Sequence, residues 1–369
     1  MMVSFHTLWN NGVFAKFLFS FAVIYVVFFQ LYKFHQGNLL DSEGYEITER
    51  LSEINDNITT RLEENVNSNN TPTIKLTTRT TTESFTTTTK FVEDENLSFL
   101  TQDNIRDYIK YTEKDPAKYK ELKKRCAKRK FSSKILPFTA LASVQGSGNT
   151  FTRFLVECIT GIHSGTTHFD GKLHAAGFMG EGVINGSTVV IKSHQIGFSP
   201  SEKFDRGIMV IRNPYRMILA EWNRRHSGGH ISHARPERFK TEEDTWRAHV
   251  IAFTEKWLLF ALQWIISFEK ELLILVYENM VNDTVRTLRQ LHEFLTVKEG
   301  IKEGSLKRLP CAFIDNTSGF QRPAVNYGID PFTPRERRRI NEYMEAVCDV
   351  YKTRTHDTEC AFKYNVETI

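Results

Sequence analysis

"LASVQGSGNTFTRF", residues 141–154, sets an apolar run directly before three small residues and a Thr-Phe-Thr-Arg segment with helical spacing. A strand that ends in Gln-Gly-Ser-Gly-Asn and enters a helix near Thr150 presents successive backbone N–H groups beside the positive end of a helix dipole, and such a corner binds anions. Gly146 and Gly148 let the loop take positive φ values and approach a phosphate with no Cβ in the way. Gly146, Ser147, Gly148, Asn149 and Thr150 are therefore the candidate anion loop, against the simpler reading of a glycine-rich turn. A Walker A loop would need Gly-Lys-Ser/Thr here; Gly148 is followed by Asn149, which disfavours ATP hydrolysis.

From about Ile135 onward, short β-branched runs alternate with amphipathic segments, the pattern of crossover units on a parallel sheet. The expected fold class is α/β, a P-loop-like three-layer sandwich with a central parallel sheet flanked by helices. Strands are expected over 139–144, 188–192, 208–212 and 272–277, with helices beginning near Thr150, Pro214, Thr241 and Asp283. Thr333-Pro-Arg-Glu336 supplies a capping hydroxyl, a proline at the first helical position and a reciprocal glutamate, so a last helix starts there. Trp246, Trp257 and Trp264 read as packing residues of the long third helix.

Two further strand ends carry chemistry. "VVIKSHQIGF" brings Lys192 and His194 to the carboxyl end of a strand, the edge where open α/β sheets place ligands; two residues apart, they point the same way. A cation beside an imidazole suits transfer of an anionic group to a hydroxyl, since His takes the proton and Lys meets developing charge. "MVIRNPYRMILAEWNRR" ends a second strand in Arg212 with Asn213-Pro214 opening a helix, the setting of a phosphate fork. The competing readings are a commonplace Lys-x-His and a salt-bridged surface arginine. Arg216, Arg224 and Arg225 read as solvated. No metal-ligand cluster has zinc spacing, so no metal is expected.

The amino-terminal third reads differently. Residues 13–32 are apolar apart from Lys16, Ser20 and Gln30, about long enough to cross a ~30 Å hydrocarbon core. The expected organisation is a cytoplasmic tail over 1–12, a transmembrane signal anchor over 13–33, a disordered Thr/Asn-rich stem over 34–100, a basic helical lead-in over 101–134 and a catalytic domain over 135–369. A cleaved signal peptide is the alternative, although the run is long and no small-x-small cleavage pattern follows. Sequons at Asn57, Asn69, Asn96, Asn185, Asn282 and Asn316 all follow the span and, with the Thr-rich stem, place the carboxyl side in a lumen. The net charge of +4, with no finger, zipper or RNA-binding signature, gives no sign of nucleic acid as a partner. The cationic run over 114–134 reads as a solvated helix face or as a guide for an acidic acceptor. Five cysteines allow two disulfides in an oxidising lumen; Cys348 is expected to pair with Cys360 and Cys126 with Cys311, leaving Cys158 as a buried small hydrophobe.

On these motifs the chain resembles the sulfotransferases that use 3′-phosphoadenosine 5′-phosphosulfate, whose first loop reads roughly Pro-Lys-Ser-Gly-Thr-Thr-Trp. "GSGNTFTRFLVECITGIHSG", "VIRNPYRMILAEWNRR" and "VYENMVNDTVRTLRQLHEFL" look closest to the sulfotransferase domain of the WSC domain-containing proteins, over about residues 138–350, with no Cys-rich WSC module before it. The resemblance implies that residues 146–150 hold the 5′-phosphosulfate, Arg212 the 3′-phosphate, and that Lys192-Ser193-His194 contains the base. It also implies that Arg322, in "GFQRP", clasps the 3′-phosphate, although Gln321 stands where an arginine is usual. Tyr277-Glu278 matches a Tyr-Glu pair of either packing or site role. Two departures stand out: the loop lysine is Gly146, with Lys192 or Arg153 as possible replacements, and the serine eight residues after Arg212 is Ala220.

The expectation is a Golgi type II sulfotransferase, with 3′-phosphoadenosine 5′-phosphosulfate as co-substrate and a glycan hydroxyl, in sialylated chains by the WSC-type resemblance, as acceptor. A catalytically silent glycan-binding protein of the same fold and a nucleotide-dependent kinase remain as alternatives.

Overall fold

In the computed structural model the described residues are 101–197, 199–227, 232–296, 306–314 and 327–363. The expected span and stem, the sequons at Asn57, Asn69, Asn96 and Asn316, and Arg322 lie outside them.

Two short helices open the described chain. α1 (Gln102–Glu113) is capped by the Thr101 hydroxyl, which accepts from Asn104 N at 3.2 Å. α2 (Pro116–Ala127) is capped by Asp115, which accepts from Ala117 N and Lys118 N, with Pro116 in the first turn. The basic lead-in is thus helical, and its apolar side is not solvated: Ile105, Ile109 and Leu122 are buried in the same cluster as Phe154, Leu155 and Ile159.

β1 (Thr139–Ser143) leads through the glycine loop into α3 (Asn149–Thr160), followed by β2 (Gly165–Thr166), α4 (Gly171–Ala175), β3 (Ile191–Ser193) and α5 (Pro200–Lys203). Then come β4 (Arg206–Ile211), α6 (Pro214–His226), α7 (Arg238–Thr241), α8 (Glu243–Ser267), β5 (Leu272–Val276), α9 (Tyr277–Asn282) and α10 (Thr284–Thr296). A short 3-10 turn (Leu306–Arg308) and α11 (Cys311–Ile314) precede α12 (Pro334–Thr355). The strands form one parallel sheet in the order β2-β3-β1-β4-β5, with helices packed on it. All five residues of β1 are buried, as a strand covered on both faces requires. The chain passes from β3 on one side of β1 to β4 on the other, so the order reverses at β1 and a crevice opens at its carboxyl end.

The expected strands are all present with small shifts. The third begins at Ile191 and not at 188, because pairing with β1 starts at Ala140↔Ile191 while Val189 N is spent on His163 O. β5 stops at Val276 because Tyr277 already belongs to α9. β2 is two residues long and leaves no hydropathy pattern. The capping box at Thr333 and Glu336 is formed from both sides.

α8 is the central pillar, with Trp246, Trp257 and Trp264 at most 2% exposed. Among the described residues it is the helix long and apolar enough to cross a membrane, yet most of that stretch is buried within the domain. Disulfides join Cys126 to Cys311 and Cys348 to Cys360; Cys158 is free and buried. Asn185 and Asn282 are both exposed.

Candidate active site at the carboxyl edge of the sheet

β1 ends where Val144 O accepts from Ser147 N, a turn that Gly146 (φ 87°) and Gly148 (φ 94°) make possible. At both glycines a side chain is also excluded by space. A Cβ on Gly146 would lie 2.5 Å from Met217 O and 3.3 Å from Glu221 Cβ on α6, and one on Gly148 would lie 2.3 Å from the Tyr277 ring. Asn149 fixes the loop to the strand, its amide donating to Leu141 O at 3.0 Å and to Ser143 Oγ at 3.1 Å. α3 then starts with no side-chain cap, so its first-turn N–H groups stay open towards the cavity.

That cavity has a volume of about 1170 Å³ and is walled by Gly146, Gly148, Asn149 and Thr150 from the loop, Lys192 and His194 from the end of β3, and Arg212 from the end of β4. Three separate strand ends thus bring the expected residues together. Ser147 differs: it is 1% exposed, outside the cavity wall, and its hydroxyl has no partner. It turns inward because the two positive-φ glycines reverse the chain around it.

His194 donates from Nδ1 to Ser143 O at 2.6 Å. A carbonyl can only accept, so the proton sits on Nδ1 and Nε2 carries the lone pair. Burial, followed by the charge of Lys192, pushes the imidazole down to about 3, and it is neutral at physiological pH. Burial and then the charge of Arg153 lower Lys192 to about 8, against the pull of Glu181 and Asp170.

Arg212 is held on three sides. Nη1 donates to Gly146 O at 2.8 Å, the guanidinium lies 4.1 Å from the centre of the Tyr277 ring, and its carbonyl accepts from Trp257 Nε1 at 2.9 Å. Arg212 Nε is buried without a hydrogen-bond partner. Glu278 accepts from Asn213 N at 3.1 Å, which fixes the turn into α6, while Asn213 caps that helix. Tyr277 therefore does both things its position allows: it lines the cavity and packs on the loop glycine.

Arg153 is not available to the loop. It is 0% exposed, paired with Glu181 at 2.5 Å and bonded to Ser164 Oγ at 2.9 Å. Arg224 and Arg225 are not free surface charges either: Arg224 grips the buried Glu221 with Nε (2.7 Å) and Nη2 (2.6 Å), Arg225 donates Nε to it at 2.9 Å, and both line the cavity. Residues 166–173, which also line the cavity, gave no signal in the sequence. They include Thr166, Phe169 and Asp170, which caps α4. Among the described residues no group of three His, Cys, Asp or Glu side chains gathers as metal ligands do.

A glycine loop at the switch point of a parallel α/β sheet, with a neutral imidazole and a lysine at the next strand end, lines a cavity at the edge where such sheets place ligands. The chain belongs to the WSCD family. It is 34% identical over 219 residues to the WSCD family member GA21586 of Drosophila pseudoobscura pseudoobscura, covering 59% of this chain and 67% of the relative. It is 34% identical over 210 residues to CG9164 of Drosophila melanogaster (57% and 64%) and 32% identical over 217 residues to AAEL009094 of Aedes aegypti (58% and 67%). The matches thus span about two thirds of each relative's length. No family model matches the chain. Among solved structures, the crystal structure of mouse sulfotransferase SULT7A1 complexed with PAP aligns with a TM-score of 0.36 and 14% identity, over 64% of this chain and 90% of that one.

Proposed function

We propose that the protein is a Golgi type II membrane sulfotransferase that moves a sulfuryl group from 3′-phosphoadenosine 5′-phosphosulfate to a glycan hydroxyl. The observation that carries this reading is the His194–Ser143 hydrogen bond, which fixes the tautomer with an acceptor nitrogen in a cavity walled by an uncapped helix start and by cations that include Lys192 and Arg212. The loop amides and Lys192 would hold the phosphosulfate, and Arg212, with its unpartnered buried Nε, the 3′-phosphate. His194 Nε2 takes the acceptor's proton as the hydroxyl oxygen attacks sulfur. Catalysis is then positioning and charge stabilisation, as in phosphoryl transfer.

Membership of the WSCD family supports this assignment. The luminal placement rests on the apolar run over 13–33, on two disulfides and on exposed sequon asparagines. A glycan acceptor rests on that placement together with the WSC-type resemblance.

Membranes carrying the full chain, incubated with donor labelled in the sulfuryl group and a panel of sialylated, galactosylated and glycosaminoglycan acceptors, should show label in one class. His194→Ala should lower that transfer by about 10²- to 10⁴-fold while retaining adenosine 3′,5′-bisphosphate. Nucleotide binding without transfer by the wild type would make the protein a silent binder.

A further inference from the structure

Gly146 stands where a loop cation would stabilise the departing phosphate, and the structure shows why no side chain can return there. The loop backbone is pressed against α6, with the built Cβ 2.5 Å from Met217 O and 3.1 Å from Glu221 N, at a φ of 87°. The contact that excludes a loop side chain is made by the helical turn that carries another cation. Glu221 is 0% exposed, and its carboxylate holds Arg224 and Arg225. Burial pushes Glu221 upward, but the bonds from both arginines outweigh it and leave the carboxyl below its usual range. One carboxylate against two guanidiniums leaves a net positive charge on the cavity wall.

The two arginines differ in their other neighbours. Arg225 lies 5.0 Å from the Phe253 ring, and its charge is felt by the buried His249. Arg224 shares a helix face with Ala220, four residues earlier and also on the wall, and its charge is felt by Lys192 and exerted on Asp170's side of the cavity. Its bidentate grip on Glu221 uses two donors and sets the plane of the guanidinium, so the remaining donors are preoriented for an oxyanion.

We infer that Arg224, positioned by buried Glu221, supplies the hydrogen bond and positive charge to the leaving oxygen that a side chain at position 146 cannot. The inference rests on the sulfuryl-transfer reading above. In that step the acceptor oxygen–sulfur bond forms as the bond from sulfur to the phosphate oxygen breaks. The broken bond's electron pair stays on the phosphate of adenosine 3′,5′-bisphosphate, where Arg224 meets it, and the acceptor's proton passes to His194 Nε2.

The test uses the full-length chain in detergent. Calorimetry with the intact donor, 3′-phosphoadenosine 5′-phosphosulfate, in the absence of acceptor reads ground-state binding, and single-turnover transfer to the best acceptor of the panel reads chemistry. Arg224→Gln should bind the intact donor within about threefold of wild type yet transfer about ten- to hundredfold more slowly, the loss of one charge-assisted bond made in the transition state. Arg224→Lys, which keeps the charge, should recover much of that rate and serves if the Gln variant does not fold. Transfer by Arg224→Gln within threefold of wild type, equal losses in binding and rate, or a Lys variant as slow as the Gln variant each overturn the inference while leaving the sulfotransferase reading in place. A wild type that neither binds the nucleotide nor transfers overturns both.

Discussion

Two positions, 192 and 146, decide how this site responds to pH and to repair. Lys192 sits near 8 because it is buried beside Arg153, so it is charged at pH 7 and loses its proton as pH rises through about 8. His194 is already deprotonated well below that, near 3. The rate of transfer should therefore be level across neutral pH and fall on the alkaline side with an apparent pKa near 8; a pH profile of kcat/KM checks this, and Lys192→Arg should abolish the alkaline limb. Gly146 makes the second case. Restoring the common loop lysine as Gly146→Lys should not raise activity, because the side chain must enter at positive φ and displace the α6 backbone. We expect a stability loss of about 2 kcal/mol or more by thermal melting, and slower transfer with it.

At the scale of elements, the site is a junction of α9 with the glycine loop. Tyr277, the first residue of α9, packs its ring on Gly148 and stacks under Arg212, so one aromatic fixes both the glycine loop and the arginine at the end of β4. Tyr277→Ala should weaken adenosine 3′,5′-bisphosphate by about five- to thirtyfold in calorimetry, whereas Tyr277→Phe, which keeps the ring, should be close to wild type. The glycine loop, Lys192, His194 and Arg212 were legible in the sequence because each ends an apolar strand, and strand ends in a parallel α/β sheet converge on one edge. What stayed hidden has physical reasons. Ser147 was placed by position in the loop, but the turn geometry that buries it is a backbone property. Arg224 and Arg225 look like any helix-surface cations until the burial of Glu221 is known, and Arg153 looks available until Glu181 is brought to it from 28 residues away. The 166–173 wall comes from two-residue β2 and its following loop, which have no period to detect.

The molecule as a whole is tied by two clasps of unlike reach. Cys348–Cys360 spans a separation of 12 residues and seats Phe362 against Trp257 and Tyr351, beside the carbonyl that receives Asn213. Cys126–Cys311 spans 185 residues and fixes the basic lead-in helices to the domain core. In the loop-entropy account the long clasp contributes about 5 kcal/mol and the short one about 3. Denaturant titration should thus show a larger loss for the Cys126→Ser, Cys311→Ser pair than for Cys348→Ser with Cys360→Ser. The longer clasp also imposes a timetable on biosynthesis. Cys126 leaves the ribosome some 10–40 s before its partner at about 5–20 residues per second, and the next thiol to emerge is Cys158, which ends fully enclosed in α3. Nascent chains must therefore either wait with an open thiol or make a provisional 126–158 bridge that has to be undone, and the yield of the native pairing becomes a function of how quickly α3 closes over its sulfur.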